Sequence, residues 1–164
     1  MTAAGIGLLD ALPPEAAERE LFGCCGSPEW ARRMAAARPF GSLDRLIDAS
    51  DATWRSLPET QRLEALDAHP RIGDRAASGR AAEEQAGALS GSDEDARLLA
   101  EANRAYEARF GRIFIVCAAG RTAREMLALC RARLENDAAT ELAIAAEEQR
   151  RITRLRLERL AAGR

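Results

Sequence analysis

Apolar positions recur at helical spacing along most of the chain, and capping and breaking residues divide that pattern into elements. Pro14 stands just inside a first helix that runs through Glu15 to about Phe22, with Gly23 as its stop. Ser27 and Pro28 give a second helix a hydroxyl cap and a first-turn proline; it runs to about Ala37, where Arg38-Pro39-Phe40 breaks it. Ser42 caps a third, in which Leu43, Leu46, Ile47 and Trp54 keep helical spacing. Pro58 opens a fourth, with Leu63 and Leu66 on one face. Pro70 pushes the preceding residue out of the helical region, so His69 falls at or just past that helix's end.

Residues 71–80 hold two glycines and no apolar period, and read as a loop. A short helix containing Glu83, Glu84 and Gln85 follows, then a Gly-Ser break. Ser92 caps a long helix through Leu98, Leu99, Ala102 and Tyr106 to about Arg109, with Gly111 as its stop. Thr122 with Glu125 three residues on is a capping box for a helix ending near Asn136, and the last helix begins near Ala138. Only residues 113–117, Ile-Phe-Ile-Val-Cys, read as strand, and a lone strand has nothing to pair with. A buried, partly extended segment or a buried helical turn is expected there. The prediction is an all-α, single-domain bundle of about seven or eight helices spanning residues 1–164, with no internal repeat or linker.

Composition narrows the chemistry. The 24 basic residues are all arginine, against 26 acidic ones and a net charge of −2. Without lysine, Schiff-base, pyridoxal-phosphate and phosphate-loop chemistry are excluded. With one histidine, any metal site needing two imidazoles is excluded as well. Cys24, Cys25, Cys117 and Cys130 show no C-x-x-C spacing, so they read as buried small hydrophobes in a reducing compartment and no metal is expected. Residues 1–12 lack the basic start and long apolar run of a signal peptide, and the apolar run at residues 113–119 is too short to span a bilayer. A soluble, cytoplasmic protein is the expectation.

Three features could carry chemistry. His69 is followed by Pro70-Arg71-Ile72-Gly73, a turn that holds a side chain at a defined angle beside a loop; the plainer reading is a histidine at a helix C-terminus, where its charge suits the dipole. Glu83 and Glu84 point about 100° apart on a helix, so at most one faces a pocket, and a solvated face is the plainer reading. On the final helix Leu142, Ala145, Gln149, Ile152 and Arg156 form one stripe, which turns the Arg156 guanidinium toward a pocket wall or into a surface ion pair.

Together these pieces resemble the 2-oxo-4-hydroxy-4-carboxy-5-ureidoimidazoline (OHCU) decarboxylases of urate degradation. The resemblance is carried, in order, by Arg38-Pro39-Phe40, Ala68-His69-Pro70-Arg71-Ile72-Gly73, Glu83-Glu84-Gln85, Asn103 with Tyr106, Phe110-Gly111, Phe114-Ile115-Val116-Cys117-Ala118, Arg133-Leu134, Glu141-Leu142, Glu147 and Leu155-Arg156-Leu157. It implies an all-α homodimer that uses no cofactor or metal and converts OHCU to (S)-allantoin with release of CO2. It also implies that His69 is the catalytic proton donor, with Glu84 beside it. Pro70, Glu83, Glu84 and Gln85 would line the substrate site, Phe114, Ile115, Val116, Cys117 and Ala118 would contact the ring partly through backbone groups, and Arg156 would anchor it. Many relatives carry serine where this chain has Ala81, and the loop between His69 and Glu84 is short.

The side chains present suit that chemistry. Fixed donors must face the oxyanion that develops as CO2 departs, an apolar wall such as Phe114, Ile115 and Val116 must strip water from the leaving carboxylate, and a proton must then reach one face of the carbon. An imidazole, with an ordinary pKa of about 6.5, is the natural donor at neutral pH. Two other classes compete. An arginine-rich helical binder of nucleic acid or anions would use Arg150, Arg151, Arg154, Arg156 and Arg159, but Glu147, Glu148 and Glu158 interleave with them and the net charge is negative. The other is a non-catalytic helical scaffold of the same fold.

Overall fold

In the computed structural model, which describes residues 3–73, 80–86 and 92–163, side-chain caps fix where several helices begin. Ser27, Ser42 and Ser92 each accept from the backbone N–H three residues on, and Thr122 and Glu125 form the reciprocal capping box. The helices are α1 (Ala3–Ala11), α2 (Pro14–Cys25), α3 (Pro28–Ala36), α4 (Leu43–Ser56), α5 (Glu59–Asp67), α6 (Arg80–Glu84), α7 (Asp93–Phe110), α8 (Ala123–Arg133) and α9 (Ala138–Ala161). No strand occurs among the described residues, so the all-α expectation holds. All eight elements read from the pattern are present, and α1 is an addition with no cap signal to announce it.

Two boundaries move. Helix α2 continues through Gly23 to Cys25 and ends at Gly26, which takes the left-handed conformation at φ +80° and returns its N–H to the Phe22 carbonyl. Burying Cys24 and Cys25 outweighs the roughly 1 kcal/mol that an interior glycine costs. Helix α8 stops at Arg133 rather than near Asn136, because Arg133 turns inward to a buried ion pair and Asn136 turns back to the same carboxylate. The Gly-Ser break and most of the 71–80 loop lie outside the described residues, as does the side chain of Ala81.

The chain divides into two compact units, residues 1–65 with 149–164, and residues 66–148. In the first, Trp30, Met34, Leu21 and Leu46 are fully buried, and Trp30 donates its indole N–H to the Ser50 carbonyl of α4. The break after α3 has a structural use: the Arg38 guanidinium donates to the carbonyls of Leu9 (2.8 Å) and Leu12 (2.7 Å), capping α1, while the Asp10 carboxylate accepts from the N–H groups of Phe40 and Gly41. In the second, Leu99, Ala102 and Tyr106 of α7, Phe114, Val116 and Ala118 of the irregular segment, and Met126, Leu127 and Cys130 of α8 share one core with Ile72.

Candidate active site

His69 sits half-buried two residues past the end of α5, and its N–H returns to the Leu66 carbonyl at 3.4 Å. Helix formation stops there because Pro70 follows, as the sequence predicts. The three residues after the proline are each tied down. Arg71 forms a two-pronged pair with Glu107 at 2.6 and 2.8 Å. The Ile72 carbonyl accepts from Asn103 Nδ2 at 2.9 Å, and the Gly73 N–H donates to Gln85 Oε1 at 2.9 Å. Gly73 has φ +81°, which a side chain would strain. Asn103 and Gln85 are both buried, so these latches work away from water, where a hydrogen bond is stronger and its loss costs more.

Helix α6 ends on Glu84, and the 100° separation of neighbouring side chains has the expected result: Glu83 is exposed and Glu84 buried. Gln85 follows in the turn, its carboxamide oxygen given to the His69 turn. Pro70 is half-buried.

Residues 113–118 form neither helix nor strand, matching the expected irregular buried segment, with Phe114, Ile115, Val116 and Ala118 buried and Cys117 half-buried. Charged side chains hold its backbone. Arg133 donates to the Ile115 carbonyl at 2.6 Å, Arg121 donates to the Cys117 carbonyl at 3.1 Å, and Glu148 Oε2 accepts from the Cys117 N–H at 2.7 Å. The Arg133 guanidinium also lies 4.7 Å over the Phe114 ring. Arg133 is itself fixed by Glu141, which accepts from the Tyr106 hydroxyl and from Asn136 as well. Burial raises the Cys117 thiol pKa, and the Glu148 and Glu84 carboxylates raise it further.

Arg156 is buried on α9, in the other unit, on the predicted stripe, where Ala145, Gln149 and Ile152 are also buried. One guanidinium nitrogen lies 3.5 Å from the Cys24 carbonyl and Gln149 Nε2 donates to the Cys25 carbonyl, so both serve the last carbonyls of α2. Burial drives the Cys25 thiol up to about 12 and leaves it inert. A surface groove of about 510 Å³ on the first unit, lined by Glu15, Glu18, Arg19, Phe22 and Pro28, contains none of the residues singled out by sequence. Among the described residues no His, Cys, Asp or Glu cluster is arranged to hold a metal, and no helix is long and apolar enough to cross a membrane.

The sequence model of the OHCU decarboxylase family matches residues 10–158. The chain belongs to the OHCU decarboxylase family. It is 40% identical over 154 residues to the uric acid degradation bifunctional protein TTL of Arabidopsis thaliana, a match covering 89% of this chain and 48% of that protein. The chain thus spans about half the length of that relative. It is 31% identical to the 2-oxo-4-hydroxy-4-carboxy-5-ureidoimidazoline decarboxylase of Haloferax volcanii, with 80% of each chain covered. A crystal structure of an OHCU decarboxylase in the presence of (S)-allantoin superposes with a TM-score of 0.78 at 38% identity, covering 87% of this chain and 97% of the other.

Within this OHCU decarboxylase fold, sequence reasoning gave no role to Asn103, Glu107, Arg133 or Glu141, although three of them lay in the matching segments. Glu148 was read only as one charge among the arginines of the last helix. It is 8% exposed. The signal was available: Glu141, Ala145, Glu148 and Ile152 follow the same three-and-four spacing that picked out Arg156.

Proposed function

We propose that this chain catalyses the cofactor-independent decarboxylation of OHCU to (S)-allantoin, releasing CO2. The observation that carries the reading is the locking of the turn after His69, at Arg71, Ile72 and Gly73, by Glu107, Asn103 and Gln85, the last of which follows the buried Glu84 in sequence. Such anchoring fixes the backbone that follows His69, and proton delivery to one face of a carbon requires a narrow positional tolerance. The bond from ring carbon to carboxylate breaks and its electron pair spreads over the adjacent ring atoms. His69 then gives a proton to the carbon that becomes the stereocentre, and CO2 leaves. Glu84 orients the imidazole. Phe114, Ile115, Val116 and Ala118 supply the apolar wall and, with Cys117, backbone groups toward the ring. Pro70, Glu83 and Gln85 complete the substrate's surroundings.

The same reading makes residues 1–164 one OHCU decarboxylase-like domain that works as a cytoplasmic homodimer, taking a small-molecule substrate and binding no nucleic acid. To test the activity, OHCU is generated in situ from urate and accumulation of (S)-allantoin is followed by circular dichroism, with and without the protein. The signal should rise faster with the wild-type chain, and His69→Asn should abolish the acceleration while leaving the far-ultraviolet spectrum and melting temperature unchanged. Undiminished turnover by folded His69→Asn would remove the histidine from the chemistry, and no acceleration by the wild type would leave the scaffold reading standing.

A further inference from the structure

We infer that Glu148 is a positioning residue for the reaction, and that with Arg133 it sets the backbone shape of residues 114–118. This rests on the reading above that the segment faces the substrate.

A buried stretch with no helix and no strand partner needs another source of order for its peptide groups. Here the source is ionic and comes from both sides of Val116. Arg133, from the end of α8, donates to the carbonyl just before Val116, and Glu148, from α9, accepts from the N–H just after it. The two contacts fix consecutive peptide planes. Residue 116 and the groups that flank it are thereby left with one orientation. Both contacts are charge-assisted and short, the strongest kind of hydrogen bond available to a peptide group. Arg133 is held in turn by Glu141, a residue with no exposed surface. Glu148 contributes a carboxylate where a neutral acceptor would also satisfy the N–H. Losing the charge weakens this contact, whereas losing the oxygen leaves a buried N–H unsatisfied, so the reach and direction of the oxygen matter more than its charge.

The test compares Glu148→Gln, Glu148→Asp and Glu148→Ala in the full chain, by melting temperature and by kcat and KM in the coupled urate assay. Glutamine keeps an acceptor oxygen at the same reach, whereas aspartate keeps the charge and withdraws the oxygen by one methylene. Glu148→Gln should stay within about threefold of wild-type kcat/KM, while Glu148→Asp and Glu148→Ala should lose about ten- to a hundredfold. The loss should fall on KM as well as kcat, with (S)-allantoin a weaker inhibitor of the impaired variants. The order of Gln and Asp decides the matter even where Glu148→Ala does not fold. Glu148→Asp outperforming Glu148→Gln would overturn the proposal in favour of a role for the charge, and losses that track melting temperature alone would reduce Glu148 to a structural residue. A wild-type chain that makes no (S)-allantoin would instead fail the functional reading itself, whatever the variants do.

Discussion

Replacing Glu141 with glutamine isolates the energetic centre of the second unit. Its carboxylate is fully buried and accepts from Arg133 Nε at 2.8 Å, from Asn136 Nδ2 at 3.0 Å and from the Tyr106 hydroxyl. Arg133 is itself buried, so Glu141→Gln strands a guanidinium away from water. Breaking a buried pair by removing one partner costs about 3–5 kcal/mol. Glutamine keeps one carbonyl oxygen, which can still accept from Tyr106 and Arg133 where Oε1 stood while the Asn136 contact is lost, which puts the expectation at about 3 kcal/mol. For a chain of this length that is a fall in melting temperature of about 6–12 °C. A pH series adds a second signature. Burial alone would raise the Glu141 pKa, but the hydrogen bonds from Arg133, Tyr106 and Asn136 outweigh it and hold the group below its ordinary value. A carboxylate depressed in the folded state contributes stability that is fully present above its unfolded pKa of about 4.3 and is lost as pH falls through the folded value. The gap in melting temperature between wild type and Glu141→Gln, followed by calorimetry, should therefore be widest above about pH 5 and narrow on acidification. A variant melting within about 2 °C of wild type at neutral pH would refute the reasoning.

Three further outcomes follow from the packing. A Cβ on Gly5 would meet the Ala161 carbonyl oxygen at 2.2 Å, whereas one on Gly7 meets nothing within 4 Å; Gly5→Ala should lower the melting temperature, and Gly7→Ala should raise stability by about 0.5–1 kcal/mol. Burial pushes the Cys25 thiol up to about 12 and the Cys130 thiol up to about 11, and Cys24 has no exposed surface; titration with a chromogenic disulfide at pH 8 should reach half-buried Cys117 first and the other three only in denaturant. Asn103→Leu and Gln85→Leu each cut a buried latch on the His69 turn and should lower kcat/KM about tenfold, while Arg71→Ala, which loses a pair with an exposed arginine, should cost less than about threefold; equal effects from all three would contradict the ranking.

Local chemistry made the helix starts legible. A serine or threonine oxygen reaching an N–H three residues on needs no information from the rest of the chain, and Ser27, Ser42, Ser92 and Thr122 all behave as their spacing predicts. The end of α2 was not legible in that way, because Gly23 and Gly26 look alike in sequence and the choice between them depends on whether Cys24 and Cys25 find a core. The site divides similarly. The position of His69 beyond α5 follows from Pro70 alone. That its turn is latched by Asn103, 31 residues from Ile72, depends on where α7 passes, and the inward direction of Glu148 depends on which face of α9 the segment at 113–118 covers.

The absence of lysine takes on a further meaning in this setting. Arg38 donates to the open carbonyls at the end of α1, Arg156 lies against those of α2, Arg121 serves the Cys117 carbonyl, and Arg133 holds Ile115 while pairing with Glu141 and covering the Phe114 ring. Arg38 and Arg133 each place several donors in fixed directions from one flat group. An ammonium has the charge without the plane or the fork. These cations are directed at backbone oxygen. Of the last-helix arginines that an anion-binding surface would use, Arg156 is buried against the end of α2, while Arg121 and Arg133 shape the irregular segment on which the proposed catalysis depends.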